Sequence, residues 1–169
     1  CNKKRLLRKM QRNMGERRNE SWYKTIEARI VVEELLVSKA GALPEDFKFH
    51  VFAQHGAEPK VVLQIDYGRH AKHHRSFYDQ QGELLPYSQN KPNHQTPLTK
   101  PENYALMFDL ARALADGFDY ARVDMYNVDG AIYFGEMTFA HAGGFGPFTP
   151  RSDDFEQVRR FAADMMADD

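Results

Sequence analysis

The fold class this sequence predicts is α+β, an antiparallel sheet covered by helices. Three observations predict it. Residues 46–54, "DFKFHVFAQ", alternate apolar and polar side chains as a half-buried strand does. Residues 121–139, "ARVDMYNVDGAIYFGEMTF", read as two strands around a turn at "NVDG". Residues 101–117, "PENYALMFDLARALADG", read as a helix: Pro101 suits a first turn, Leu106, Leu110 and Leu114 recur every fourth residue, and Gly117 closes it.

The bulk numbers agree with a globular chain. Its 169 residues suffice for one domain with its own core, and 42% hydrophobic with 28% charged residues is an ordinary composition. A net charge of −1 gives no global attraction for nucleic acid or an anionic membrane, so neither is expected as a partner. No apolar run approaches the roughly 20 residues of a membrane span. The basic opening leads into no apolar segment, unlike a signal peptide. The single cysteine, Cys1, excludes an internal disulfide and fits a reducing, cytoplasmic setting.

Taken in order, residues 3–14 place Leu6, Leu7, Met10 and Met14 at helical spacing among cations, an amphipathic helix with a solvated basic face. Residues 28–36, "ARIVVEELL", are β-branched and apolar up to Glu33 and Glu34, and read as a buried strand ending in acids. In 46–54, Phe47, Phe49, Val51 and Ala53 share one face; Asp46, Lys48, His50 and Phe52 share the other. "HGAE" forms a hairpin loop to a strand at 59–68. A basic stretch, "RHAKHHRSFYD", runs into a long proline-rich loop, and such loops tend to carry function. After the helix and the hairpin, "AHAGGFGPFTP" is loop, and 153–167 form a last helix whose acidic start suits its N-terminal dipole.

The hairpin raises the chemical question, because Arg122, Asp124 and Glu136 interrupt apolar strands and buried charges need partners. A two-residue turn at Asp129–Gly130 would put Asp124 and Glu136 on opposite faces. A three-residue turn, Val128–Asp129–Gly130, pairs 127 with 131, Arg122 with Glu136 and Asp124 with Phe134. It gathers Val123, Met125, Tyr133, Gly135, Met137 and Phe139 on a core face and Arg122, Asp124, Glu136 and Thr138 on the other, so it is the register expected. Two carboxylates and a hydroxyl make an oxygen-rich corner suited to a hard cation such as Mg²⁺, and Arg122 could hold a phosphate or acyl oxygen. An Arg122–Glu136 cross-strand ion pair with Asp124 facing solvent stands beside that reading.

Here the sequence resembles a known family. The pattern Arg-x-Asp on one strand and Glu-x-Thr on the next is similar to the metal-binding hairpin of the ATP-grasp superfamily, with Thr138 where many relatives carry Asn. Together "IEARIVVEELL", "LPEDFKFHVF", "IDYGRHAKHHRSFYD" and "GEMTFAHAGGFGPFTP" resemble its TupA-like branch, named for teichuronopeptide synthesis, over residues 22 to 150. The resemblance implies the C-terminal lobe of an ATP-grasp fold. It also implies an ATP- and Mg²⁺-dependent carboxylate–amine ligase (Mn²⁺ as substitute ion) that works through an acylphosphate in cell-surface polysaccharide biosynthesis. A non-catalytic nucleotide-binding remnant and a polysaccharide glycosyltransferase are the alternatives.

Carried over by position, Asp124, Glu136 and Thr138 would hold the metal, and Arg122 would face the transferred phosphate or the tetrahedral oxyanion. Glu33, Glu34, Leu35 and Leu36 would line the adenine slot, and Asp46, with Glu45 as fallback, would accept from the ribose hydroxyls. Lys48, Arg69 and Arg75 would reach phosphates or an acidic substrate; His70, His73 and His74 beside Lys72 suit an anion equally or form a plain solvated loop. Substrates would be small or glycan-linked carboxylates and amines. No Asn-His-Gly-Ser-Gly-like segment precedes Trp22. The expectation is therefore a partial ATP-grasp domain: 1–32 the end of the central lobe, 33–36 the hinge, 37–169 the C-terminal lobe. The N-terminal lobe and Gly-rich loop are expected upstream, and the chain alone is expected to be inactive.

Overall fold

The computed structural model describes residues 4, 8, 24–27, 29–54, 56–68, 72–141 and 148–149. The chain divides into two compact units, Cys1–Leu35 with Ala140–Phe145 and Leu36–Phe139 with Gly146–Asp169. Of the helix expected at 3–14, only Lys4 and Arg8 are described, both helical; the helix expected at 153–167 lies outside the described residues.

In the first unit, residues 29–35 form neither helix nor strand, and the buried strand expected over 28–36 is not formed among the described residues. Val31 and Val32 are 79% and 88% exposed. β-Branched composition favours an extended backbone, but burial requires a neighbouring strand, and among the described residues this segment pairs with none.

The second unit is built on five strands: β1 (Asp46–Gln54), β2 (Ala57–Tyr67), β3 (His74–Tyr78), β5 (Tyr120–Val128) and β6 (Ala131–Thr138). They lie in the order β3-β2-β1-β5-β6, and every neighbouring pair is antiparallel. A two-residue strand β4 (Ser88–Gln89) pairs with β7 (Phe148–Thr149) in a small separate ladder. Half of the basic stretch read as loop is thus strand β3. Its alternation of Arg75 and Phe77 against Ser76 and Tyr78 fits the edge beside β2.

One face of the sheet is apolar because the alternation is regular. Phe47, Phe49 and Val51, Leu63 and Ile65, and Ala121, Val123 and Met125 meet helix α1 (Tyr104–Ala115) through Tyr104, Met107, Phe108, Ala111 and Ala115. Phe49 and Phe108 pack edge to face at 5.0 Å. The alanines at 111, 115 and 121 let helix and sheet approach closely. The helix lies within the expected 101–117, but Leu106, Leu110 and Leu114 mark its outer, exposed side.

The hairpin register differs from the one expected. Val128 pairs with Ala131, so the turn is the two-residue Asp129–Gly130, both with positive φ (51° and 87°). The register then shifts by one between Asp124 and Met125, so that Asp124 faces Glu136 and Arg122 faces Thr138. This bulge, at Gly135, is the physical reason the alternation rule failed: one extra residue reverses which side chains of β6 face which way. Ile132 and Met137 both pack toward the core although five residues apart, and Tyr133, Phe134 and Phe139 are exposed.

The turn is pinned on both sides. Asp129 Oδ2 accepts from the Lys39 amide at 2.8 Å, and Asn103 Nδ2 donates to the Gly130 carbonyl at 2.8 Å. A Cβ on Gly130 would lie 2.6 Å from Glu102 Oε2. Gly130→Ala should therefore lose about 1 kcal/mol or more of stability through strain at positive φ. Urea unfolding would check it; an unchanged midpoint would show that the left-handed turn does not fix the hairpin.

Candidate functional site

The second face of the sheet carries the polar residues, in rows across the strands. One row runs Arg75, Asp66, Asp46 and Tyr126; the next runs Phe77, Gln64, Lys48, Asp124 and Glu136; a third runs Val62, His50, Arg122 and Thr138. Asp46, Lys48, His50, Gln64, Asp66, Arg122 and Asp124 are all buried. Charges at such depth persist only in compensated sets, and two sets are seen.

The first centres on Asp124, 2% exposed. Arg122 donates through Nε to Oδ1 at 2.6 Å and through Nη2 to Oδ2 at 2.8 Å, a forked grip. Lys48 Nζ donates to the same Oδ2 at 2.5 Å and also contacts Asp46 Oδ2 at 2.8 Å. Arg122 Nη2 reaches Glu136 Oε1 at 2.8 Å as well, and Thr138 Oγ1 lies 3.5 Å from that oxygen. Burial alone would lower the Arg122 pKa, but the Asp124 hydrogen bond and the charges of Asp124 and Glu136 raise it, so the guanidinium stays charged.

The second set centres on Asp66. Arg75 donates to Oδ1 at 2.6 Å and to Oδ2 at 3.2 Å, His73 Nε2 stands 3.3 Å from Oδ1, and Gln64 Nε2 donates to Oδ2 at 3.2 Å. Burial would raise the Asp66 pKa, yet the Arg75 bond and charge, with His73 and Lys48, hold it below the ordinary carboxylate value. An ionised Asp66 only accepts, so the Gln64 amide nitrogen must face it and the Gln64 oxygen must face His50 Nε2, 3.1 Å away. That nitrogen therefore carries the proton, and His50 Nδ1 lies 2.9 Å from the Tyr120 hydroxyl. Burial pushes the Tyr120 phenol up to about 12, so it stays protonated at neutral pH.

The expected residues thus fall into three groups. Arg122, Asp124, Glu136 and Thr138 are brought together with Lys48 and Asp46. The Arg122–Glu136 ion pair is present, but Asp124 is buried and does not face solvent. Arg75 lies on the same face, already held by Asp66. Glu33, Glu34 and Leu35 are exposed at the end of the first unit's segment 29–35, and Leu36 begins the second unit. Arg69 and His70 lie outside the described residues. His73 turns to Asp66, whereas His74 packs edge-on to His94 at 5.6 Å. Sequence reading missed Asp66 and Gln64, although two polar residues alternating inside "VLQIDY" were the available signal.

Among the described residues no three His, Cys, Asp or Glu side chains form a metal cage. Two carboxylates with a nearby hydroxyl nevertheless fit Mg²⁺, which keeps waters and takes phosphate oxygens to complete its shell. No helix among the described residues is long and apolar enough to cross a membrane.

A five-stranded antiparallel sheet with a helix on one face and a charged wall on the other makes an α+β domain, consistent with an ATP-grasp-type fold. The chain matches the TupA-like ATPgrasp family over residues 1–158, and it belongs to that family. No curated protein and no solved structure matches it.

The Asp66 carboxylate, with its lowered pKa, stabilises the fold above its unfolded value of about 3.9. That stability should be lost as pH falls through the lower folded value. Arg75→Met should remove about 3 kcal/mol at neutral pH and flatten the acid limb of the stability curve. Denaturant titrations between pH 7 and 2 would check it; an acid limb as steep as the parent's would assign the effect elsewhere.

Proposed function

We propose that this chain supplies the nucleotide- and metal-binding lobe of an ATP- and Mg²⁺-dependent carboxylate–amine ligase in cell-surface polysaccharide and teichuronopeptide biosynthesis. The observation that carries the reading is the convergence of Asp124, Glu136 and Arg122 on one face, which the bulge at Gly135 makes possible. Membership of the TupA-like ATPgrasp family supports the nucleotide.

In such a ligase a substrate carboxylate oxygen attacks the γ-phosphorus of ATP and ADP leaves; an amine then attacks the acyl carbon and phosphate leaves. Bound Mg²⁺ supplies charge neutralisation on the phosphate oxygens. The chain's own groups do the positioning. Asp124 and Glu136 would hold the ion, with Thr138 as a neutral oxygen beside them. Arg122, fixed between the two carboxylates, presents a permanent positive charge toward the oxygens on which negative charge accumulates. Asp46 would accept from the ribose hydroxyls, and Glu33, Glu34, Leu35 and Leu36 would line the base. Arg75 is engaged by Asp66, so among the described residues Lys48 and Arg122 are the cations that would face phosphate. A hinge at residues 33–36 belongs to the same reading.

Glu136 is the residue on which to test this, because its side chain is 64% exposed and its loss leaves the core untouched. Calorimetric titration with ADP should show Mg²⁺-dependent binding that Glu136→Ala weakens about 100-fold, the usual range for a lost ligand or its support. Binding indifferent to Mg²⁺, or unchanged in Glu136→Ala, would overturn the assignment.

A further inference from the structure

The wall already holds two cations where the ion would sit. Both lone-pair directions of Asp124 Oδ2 are taken, one by Lys48 Nζ at 2.5 Å and the other by Arg122 Nη2 at 2.8 Å. A Mg²⁺ ion about 2.1 Å from that oxygen would lie beside the Lys48 ammonium, like charge against like charge in a buried setting. The two therefore compete for one carboxylate. Arg122 is the harder of the two to move, since its fork grips both Asp124 oxygens and also Glu136. Lys48 is the easier. It is a point charge on a flexible stem, and its second partner, Asp46 at 2.8 Å, keeps hold of it when Asp124 is given up.

An incoming polyphosphate would offer Lys48 a new partner as the ion takes its place on Asp124.

We infer that Lys48 is a built-in stand-in for the metal: it keeps a free divalent cation out of the Asp124–Glu136 site, and the ion is admitted only together with a polyphosphate anion. This rests on the nucleotide and metal reading above and adds an order to it. A pre-neutralised wall needs no metal to fold and is not occupied by whichever divalent ion happens to be abundant.

Mn²⁺ serves as the probe, because the electron-paramagnetic-resonance signal of the free ion disappears on binding. Free Mn²⁺ should bind the parent chain negligibly. Lys48→Gln removes the competing charge and should bind free Mn²⁺ about tenfold more tightly or better. Adding Glu136→Gln to Lys48→Gln should abolish that gain. ADP should restore Mn²⁺ binding to the parent chain. Thermal melting of the parent gives a second readout that needs no variant: Mn²⁺ alone should leave the midpoint unmoved, and Mn²⁺ with ADP should raise it.

If the parent binds free Mn²⁺ as tightly as Lys48→Gln, while Mn²⁺ with ADP still depends on Glu136, the gating idea is wrong and the metal reading survives. Should Mn²⁺ with ADP show no dependence on Glu136 at all, the metal reading itself falls and takes the gating with it.

Discussion

Everything on the polar face depends on the Asp124 carboxylate being clasped by Arg122 and Lys48 together. A carboxylate 2% exposed in mid-sheet is tolerable only with full compensation, and its partners come from its own strand, β5, and from the neighbouring strand, β1. The clasp therefore works as a cross-strand lock as well as a site. It joins β1 and β5 on the face away from the helix, while Phe49 and Val123 join them on the other. Such a cluster need not add much net stability, since a well-packed apolar set could do as well or better. Retaining it makes physical sense where the charges have a further task.

The Gly135 bulge decides what that task can involve. A regular two-residue hairpin would leave Glu136 on the helix face, where a carboxylate has no partner. The extra residue returns Glu136 to the polar face directly opposite Asp124 and lets Met137 fill the core position instead. Glycine suits the place, because a Cβ there would approach the Asp124 carbonyl oxygen and the Tyr126 ring to 3.1 Å. One local irregularity thus reconciles an apolar core with a clustered set of charges on the same short strand.

This also explains how far the sequence was legible. The alternation in β1 sorted Phe47, Phe49 and Val51 from Asp46, Lys48 and His50 correctly, because nothing interrupts the pleat there. The clustering of Arg122, Asp124 and Glu136 was legible too, but for the wrong reason. A three-residue turn and a two-residue turn with a bulge give the same parity at Glu136, and only coordinates separate them. Tyr133 was misplaced since it precedes the bulge. The run 28–36 misled because β-branched composition reports backbone preference and not whether a partner strand exists. Strand β3 was hidden by its opening His74 and Arg75, polar groups that an edge strand bears easily. The Asp66 set escaped because its members, Gln64, His73 and Arg75, meet only once β2 and β3 pair.

The two ionic sets differ in a way that bears on function. Asp66 is satisfied from several sides by Arg75, His73 and Gln64, and Arg75 also lies against Gln89 at 3.4 Å. Asp66 itself is held by three groups at once, so the set is built to stay. The Asp124 set is graded instead. Along its row, burial is complete at Gln64, nearly so at Lys48 and Asp124, and gives way to solvent at Glu136 on the edge strand. Its lysine bridges two carboxylates, and its outermost carboxylate is exposed. A closed set of charges can only hold the sheet together. A set with one solvent-facing member and one lysine shared between two acids can exchange partners without leaving a buried charge bare, which is the property the proposed uptake of a nucleotide and its metal requires.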